Sequence, residues 1–431
     1  MSKTNRRRFL KKAGLFSATT LLGSLTRPAW SRNLDMALRD AESVSADQLA
    51  SEEDFWYYIQ QSFTVSSGII NLNNGGVSPA PRTVQEAMKR YYDYSNEAPS
   101  YYMWRILDTG REPLRGNIAS LAGCSPDEIA INRNSSEGLE TVIFGLPLKA
   151  GDEVVLTKQD YPNMINAWKQ RELRDGIKLI WLNLELPTEN EEYLVKQFEN
   201  AFTNRTKVVH ITHIINWNGQ ILPAKKIAQA AHRRGIEVLV DGAHSFAHFQ
   251  FTVPELECDY FASSLHKWLY APIGSGMLYV RKEKIGKIYP MFAMGEPLST
   301  DIRKFEALGT RPFFIEQAIG KALEFHQMIG SERKEKRLHY LKNYWMEKVR
   351  DLPVVQLNTS FDPRWGCAIG NVNIAGKKPE ELEGYLFNRY RIHTVSINWE
   401  NIHGVRITPN VYTTTADLDK LVKAIREFAA T

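Results

Sequence analysis

Cysteine is scarce in this chain. Three residues in 431, Cys124, Cys258 and Cys367, are odd in number and far apart. That excludes a disulfide framework, and no thiols stand at metal-ligand spacing, so no metal site is expected. Long apolar runs are missing as well. The N-terminal stretch from Ala13 to Leu25 is short and rich in Ser, Thr and Gly, so no stable membrane span is expected. An excess of charge is absent from the body of the chain. The net charge is +5, but seven basic residues and no acid fall in the first 31 positions, leaving 47 basic residues against 49 acids. A slightly acidic body has no electrostatic footprint for nucleic acid. What is present is a 43% apolar share in a chain long enough for two domains with sizeable cores.

The basic residues at the start have an order. Asn5-Arg6-Arg7-Arg8-Phe9-Leu10-Lys11 precedes the short apolar stretch and matches a twin-arginine signal, with Arg6 and Arg7 as the pair. The expectation is a chain exported folded by the twin-arginine machinery, periplasmic or secreted, and cleaved between Pro28 and Arg32. A basic tail on a cytoplasmic enzyme is the alternative reading.

Further on, short β-prone runs alternate with helical ones. Strands are predicted over 129–131, 153–157, 178–184, 207–212, 237–241 and 260–262, with helices over 164–174, 191–202 and 224–234. This is a βαβ succession with a mostly parallel sheet. A strand over 274–280 is predicted to run antiparallel at the sheet's far side. Residues 33–65 read as a polar linker followed by a helix over 51–63, and 83–94 as a helix. Tyr91, Tyr92, Tyr94, Tyr101, Tyr102 and Trp104 form an aromatic patch, suited to a packed core or a dimer contact, with the substrate mouth as a minor alternative. Helices over 313–329 and 331–350 precede a final alternation of strand and helix, closed by a helix capped by Thr414 and Asp417.

Two apolar runs carry the chemistry. Val238-Leu239-Val240 ends on Asp241-Gly242-Ala243-His244, and Tyr260-Phe261-Ala262 leads into Ser263-Ser264-Leu265-His266-Lys267-Trp268. Buried parallel strands deliver such residues to their carboxyl ends, where open α/β sheets hold ligands. An acid and a lysine on nearby strand ends are what pyridoxal phosphate needs. The amine forms a Schiff base, and the carboxylate keeps the pyridine nitrogen protonated. An isolated lysine is a surface charge and an isolated Asp-Gly a turn; together at these spacings they point to the cofactor.

From about residue 70 to the C-terminus the chain resembles the class V aminotransferase family of fold-type I pyridoxal-phosphate enzymes, especially its isopenicillin N epimerase-like branch. The resemblance implies a large domain over 66–297, an α/β unit with a mostly parallel, seven-stranded-type sheet between helices. A smaller α+β domain occupies 298–431, and the signal (1–31) and the linker with its helix (32–65) precede both. It further implies that Lys267 is the Schiff-base residue and that Asp241 pairs with the ring nitrogen. His244 touches the ring's oxygen side, Tyr161 stacks on the ring, and Asn216 lies near the phenolic oxygen and the substrate carboxylate. Ser264 and His266 contact the phosphate. Ser135 and Ser136, opening a helix behind Asn134, form a phosphate seat, although plain capping explains the same residues. Thr310 reaches the phosphate of a partner subunit in a homodimer with shared sites; a turn before a helix is the bland reading. Arg406 binds the substrate's α-carboxylate, and Asn74 belongs to a glycine segment over its substrate side, which also reads as an ordinary turn.

Cysteine desulfurases share this resemblance and need a cysteine shortly before the arginine. The interval 392–405 has none, and Cys367 lies in or beside an earlier strand. What is left is chemistry at the α-carbon of an amino acid or peptide-like amine, by transamination or epimerisation. Alternatives are an exported enzyme tailoring an amino-acid side chain of a secreted peptide such as a siderophore, a C–S or β-lyase, and a non-catalytic ligand-binding protein.

Overall fold

The computed structural model describes residues 29–431. The twin-arginine pattern lies outside them. The described chain opens with helices α1 (Ala29–Asp40) and α2 (Glu53–Gln60), a two-residue strand β1 (Ile70–Asn71), and helices α3 (Arg82–Glu97) and α4 (Arg111–Ala122). Alternation begins there: β2 (Ile129–Asn132), α5 (Ser135–Gly145), β3 (Glu153–Thr157), α6 (Pro162–Asp175), β4 (Lys178–Leu182), α7 (Glu191–Ala201), β5 (Thr206–Thr212), α8 (Ala224–His232), β6 (Glu237–Asp241), β7 (Tyr260–Ser264) and β8 (Gly276–Val280). The last third contains α9 (Phe313–Ile329), α10 (Ser331–Glu347), β9 (Val355–Leu357), β10 (Gly370–Ile374) and α11 (Pro379–Tyr390). It ends with β11 (Ile392–His393), β12 (Val395–Trp399), β13 (Ile402–Ile407) and α12 (Thr415–Ala429).

Seven strands form one sheet in the order β2-β8-β7-β6-β5-β3-β4. Strand β8 runs antiparallel to both neighbours, and the other pairs are parallel. Alternation along each strand divides the core in two. Val155, Val209, Val238, Val240 and Phe261 face one side, where Ala318, Ile319, Ala322 and Leu323 of α9 join them. Val154, Val208, Leu239, Tyr260 and Ala262 face the other, with Leu139 and Val142 of α5 and Trp168 of α6. Helix α5 sits close to the sheet because Gly138 faces it. A Cβ there would lie 2.6 Å from Asn132 Nδ2 and 2.8 Å from the Ala262 Cβ. A four-stranded antiparallel sheet, β12-β13-β10-β9, packs with α11 and α12 in the C-terminal part, and β1 pairs in parallel with β11.

Three expectations need correction. Strand β8 is not at the far edge; it is inserted between β2 and β7. The predicted polar linker contains α1, whose Leu34 and Ala37, with Ala41 just beyond, are buried against Trp56, Trp268 and Tyr270. These apolar residues are too small and too sparse to show as a stripe in the sequence. Helix α4 is absent from the sequence prediction because buried arginines interrupt its pattern: Arg115 is 0% exposed and pairs with Glu306, as does Arg111. In the aromatic patch, expected as core or dimer contact, Tyr92, Tyr101 and Trp104 are more than half exposed on the single chain, and the chain there takes a π-helical turn over Tyr102–Leu107.

Candidate active site

Strands β3, β5, β6 and β7 end together, and a cavity of about 440 Å³ lies over their carboxyl ends. Gly242 lets the chain leave β6 tightly, since a Cβ there would fall 1.9 Å from Phe261 Cζ. The turn after it brings His244 back over β7. Lys267 Nζ lies 3.1 Å from His244 Nε2. Burial pushes the Lys267 amine down to about 8, against a smaller upward pull from Asp241. Burial, with Lys267 and Arg406 nearby, holds the His244 imidazole neutral far below its usual range. A neutral ring accepts at Nε2 only if its hydrogen is on Nδ1, and Nδ1 has no partner among the described residues.

Asp241 is buried at the end of β6 and accepts one N–H, from Ala243 at 2.9 Å. Burial raises its carboxyl above the ordinary range, while His210, the Ala243 N–H and Lys267 pull it down. Below it lies Asp160, fully buried, which accepts from the Thr157 N–H and from the hydroxyls of Thr157 and Thr212. Burial lifts Asp160 to about 6. Arg406 enters from β13. It donates to the Asn216 carbonyl at 2.9 Å and to Asn73 Oδ1 at 2.8 Å, and burial lowers it to about 10.

Around this cavity three buried polar atoms lack protein partners among the described residues: His244 Nδ1, Asn216 Oδ1 and Arg406 Nε. Each such atom costs about 1–3 kcal/mol. Their grouping around one space, with an under-satisfied carboxylate and a lowered amine, fits a polar heteroaromatic ligand bearing a protonated nitrogen and an aldehyde. The phosphate end has a seat as well. Asn134 caps α5 by accepting the Glu137 N–H at 2.9 Å, and the Ser264 hydroxyl bonds to the N–H and hydroxyl of Ser135. Ser136 also lines the cavity, and so does His266, a neutral ring lowered to about 4 by burial whose Nδ1 meets the Ser275 carbonyl.

Of the residues singled out from sequence, Lys267, Asp241, His244, Tyr161, Asn216, Ser135, Ser136, Ser264, His266 and Arg406 line this one cavity. Two do not. Asn74 is fully buried and its amide is consumed by Asn71, Thr408 and Tyr412; its neighbour Asn73 is the one that meets Arg406. Thr310 is exposed and absent from the wall. Cys367 is buried beside the His248 carbonyl, its thiol pushed up by burial, and it does not reach the cavity. Sequence reading missed Asp160 as a buried acid and missed the apolar wall of Trp217, Val395 and Ile397. The alternation of Val395 and Ile397 was the available signal. Among the described residues no group of His, Cys, Asp and Glu could hold a metal.

A family model described as aminotransferase class-V matches residues 70–421. The chain is 26% identical over 388 residues to isopenicillin N epimerase from Streptomyces clavuligerus, covering 86% of this chain and 97% of that one. It is 29% identical over 343 residues to a probable cysteine desulfurase from Synechocystis sp., covering 74% and 80%. A solved C-DES mutant with glycine covalently linked to its PLP cofactor superposes with a TM-score of 0.77 at 23% identity, covering 84% of this chain and 98% of that chain. The architecture is the fold-type I arrangement, a mixed seven-stranded sheet flanked by helices.

The lowered amine has a direct consequence. The neutral, nucleophilic form of Lys267 is present above its folded-state value, so reductive labelling of the cofactor-free protein by an aldehyde should reach half its maximal rate near pH 8. Peptide mass spectrometry reads the modified residue. A profile that rises only toward the ordinary lysine value of 10.5 would contradict the burial of this amine.

Proposed function

The chain belongs to the class-V aminotransferase family and uses pyridoxal 5'-phosphate, and from that premise we propose that it acts at the α-carbon of an amino acid or peptide-like amine. The observation that carries this reading is the Lys267–His244 contact of 3.1 Å at a lowered amine, with Arg406 on the same cavity. When bound, the cofactor supplies an aldehyde for the amine and an electron-accepting ring. Asp241 would hold the proton at the ring nitrogen. Ser135, Ser136, Ser264 and His266 would hold the phosphate at the start of α5. Tyr161 would cover the ring, and Asn216 and His244 would offer polar atoms to its oxygen side. The Arg406 fork orients the carboxylate. Lys267, its amine lowered so that a larger neutral fraction is present than for an exposed lysine, would take the α-proton at Nζ.

Transamination and epimerisation both begin with that proton transfer. Inversion needs a second proton carrier, and Tyr161, a titratable wall residue with no side-chain hydrogen bond among the described residues, is the candidate. The likeness to an epimerase supports this second reading. Lyase outcomes start the same way and need no protein thiol, whereas a persulfide relay needs a cysteine that 392–405 lacks. A binding protein has no use for a lowered amine. The twin-arginine pattern supports a substrate outside the cytoplasm, such as an amino acid within a secreted peptide, siderophores included.

Lys267→Ala should remove both the cofactor's visible absorbance and turnover, and retained turnover would refute the assignment. Arg406→Gln should raise the apparent KM for carboxylate-bearing substrates on the order of ten- to a hundredfold, the worth of a charged hydrogen bond. Keto-acid and stereochemical analysis of the product separates transamination from inversion. Export is tested by cell fractionation: the double change Arg6→Lys, Arg7→Lys should leave the protein in the cytoplasm, and unchanged periplasmic recovery argues against the signal. We further propose a homodimer in which the exposed Gly309–Thr310 turn serves the neighbour's phosphate. Sedimentation velocity should give twice the chain mass, and a monomer with full activity removes the idea.

A further inference from the structure

One wall of the cavity is made of rings and aliphatic chains with their polar edges already used. Strand alternation places Val395, Ile397 and Trp399 on one face of β12. Val395 and Ile397 line the cavity, and so does Trp217 from the loop after β5. Trp399 is stacked on Trp217, with ring centroids 5.2 Å apart and planes 25° from parallel. Both indole N–H groups are tied down on consecutive carbonyls just before Asp160 and Tyr161: Trp217 donates to Gln159 at 3.0 Å and Trp399 to Lys158 at 2.8 Å. The hairpin tip is held by the same strand ends. Asn401 accepts from Gln159 Nε2 at 2.9 Å and donates to the Leu184 carbonyl at 2.7 Å.

Resting on the α-carbon chemistry proposed for this site, we propose that Trp217 is a specificity-determining residue that selects a substrate with a flat, uncharged side chain, and that Trp399 positions its ring. The wall offers π faces and methyl groups and no acid, base or thiol. A charged side chain laid against it loses water without gaining a partner. An aryl ring or amide plane gains stacking on the indole. Lys158 and Glu400, beside Trp399, already face each other at 3.6 Å, and Arg406 is committed to the carboxylate in the proposed function. Because four hydrogen bonds fix the rings and the hairpin, little side-chain freedom is left to lose on binding.

The test uses the cofactor-loaded protein and four free amino acids, phenylalanine, glutamine, glutamate and lysine, with binding read by calorimetry. Glutamine and glutamate have the same shape and differ in charge. Wild type should bind phenylalanine and glutamine about tenfold or more tighter than glutamate and lysine. Trp217→Ala should erase that preference, with less than about a twofold change for the charged pair, while Trp217→Phe, which keeps a flat face, should retain most of it. Trp399→Phe, losing its bond to Lys158, should fall between. Binding charged side chains as tightly, binding none of the four, or losing affinity equally for all in Trp217→Ala would overturn the proposal. The cofactor's absorbance separates the two failures: a colourless wild type sinks the functional reading, whereas coloured variants with unaltered preference sink only the wall.

Discussion

A carboxylate and an amine share a nearly dry space here without closing on each other. Asp241 ends β6 and Lys267 comes just after β7, its hydrogen-bonded neighbour, so the sheet brings opposite charges to one place. They act on each other's titration, yet among the described residues they form no ion pair within 4 Å. Lys267 meets a neutral imidazole instead. A direct pair would protonate the amine and fill the space between the two groups. Keeping them apart leaves Asp241 short of a cation and leaves the Lys267 amine easier to deprotonate, and a ligand with a protonated ring nitrogen and an aldehyde suits both.

Much of the surrounding structure serves that separation. Gly242 permits the sharp exit from β6 over Phe261, and the turn it starts presents His244. That turn is pinned from behind by His248, which donates to the His244 carbonyl at 2.7 Å and accepts from the Ala368 N–H at 3.0 Å. The His248 ring lies parallel to Trp268 at 3.6 Å, so one buried residue braces both the His244 turn and the neighbour of Lys267. Helix α1, N-terminal to any part of the sheet, packs into the same cluster as Trp268. The position of the amine therefore depends on contacts reaching back to the first described elements.

The strands and the polar residues at their ends were legible because two rules act locally. Short apolar runs make buried parallel strands, and the residues immediately after such a run stand at the ligand edge. Asp241, His244, Ser264, His266 and Lys267 all obey these rules and converge on one cavity. The features that sequence could not show depend on distant partners. Helix α4 hides its pattern because Arg115 is buried on Glu306, 191 residues away. Asn73 and Asn74 are adjacent and chemically identical, and only the fold decides that one meets Arg406 while the other is locked under Tyr412. The Trp217–Trp399 stack joins the loop after β5 to strand β12, so no short window of sequence contains it.

The frame that holds the cofactor does not choose the reaction. An epimerase and a cysteine desulfurase resemble this chain at 26% and 29% identity, over most of its length. Relatives bearing different names on one fold point to the residues that meet the substrate rather than the ring. In this chain the cavity lining away from the strand ends comprises Arg406, held by Asn73, and the β12 wall. Where sulfur transfer would need a thiol on a segment free to approach the reacting atoms, the interval holds a hairpin fastened through Trp399 and Asn401. A hairpin fastened in this way and carrying no thiol suits the α-carbon chemistry proposed above better than a relay of sulfur through the protein.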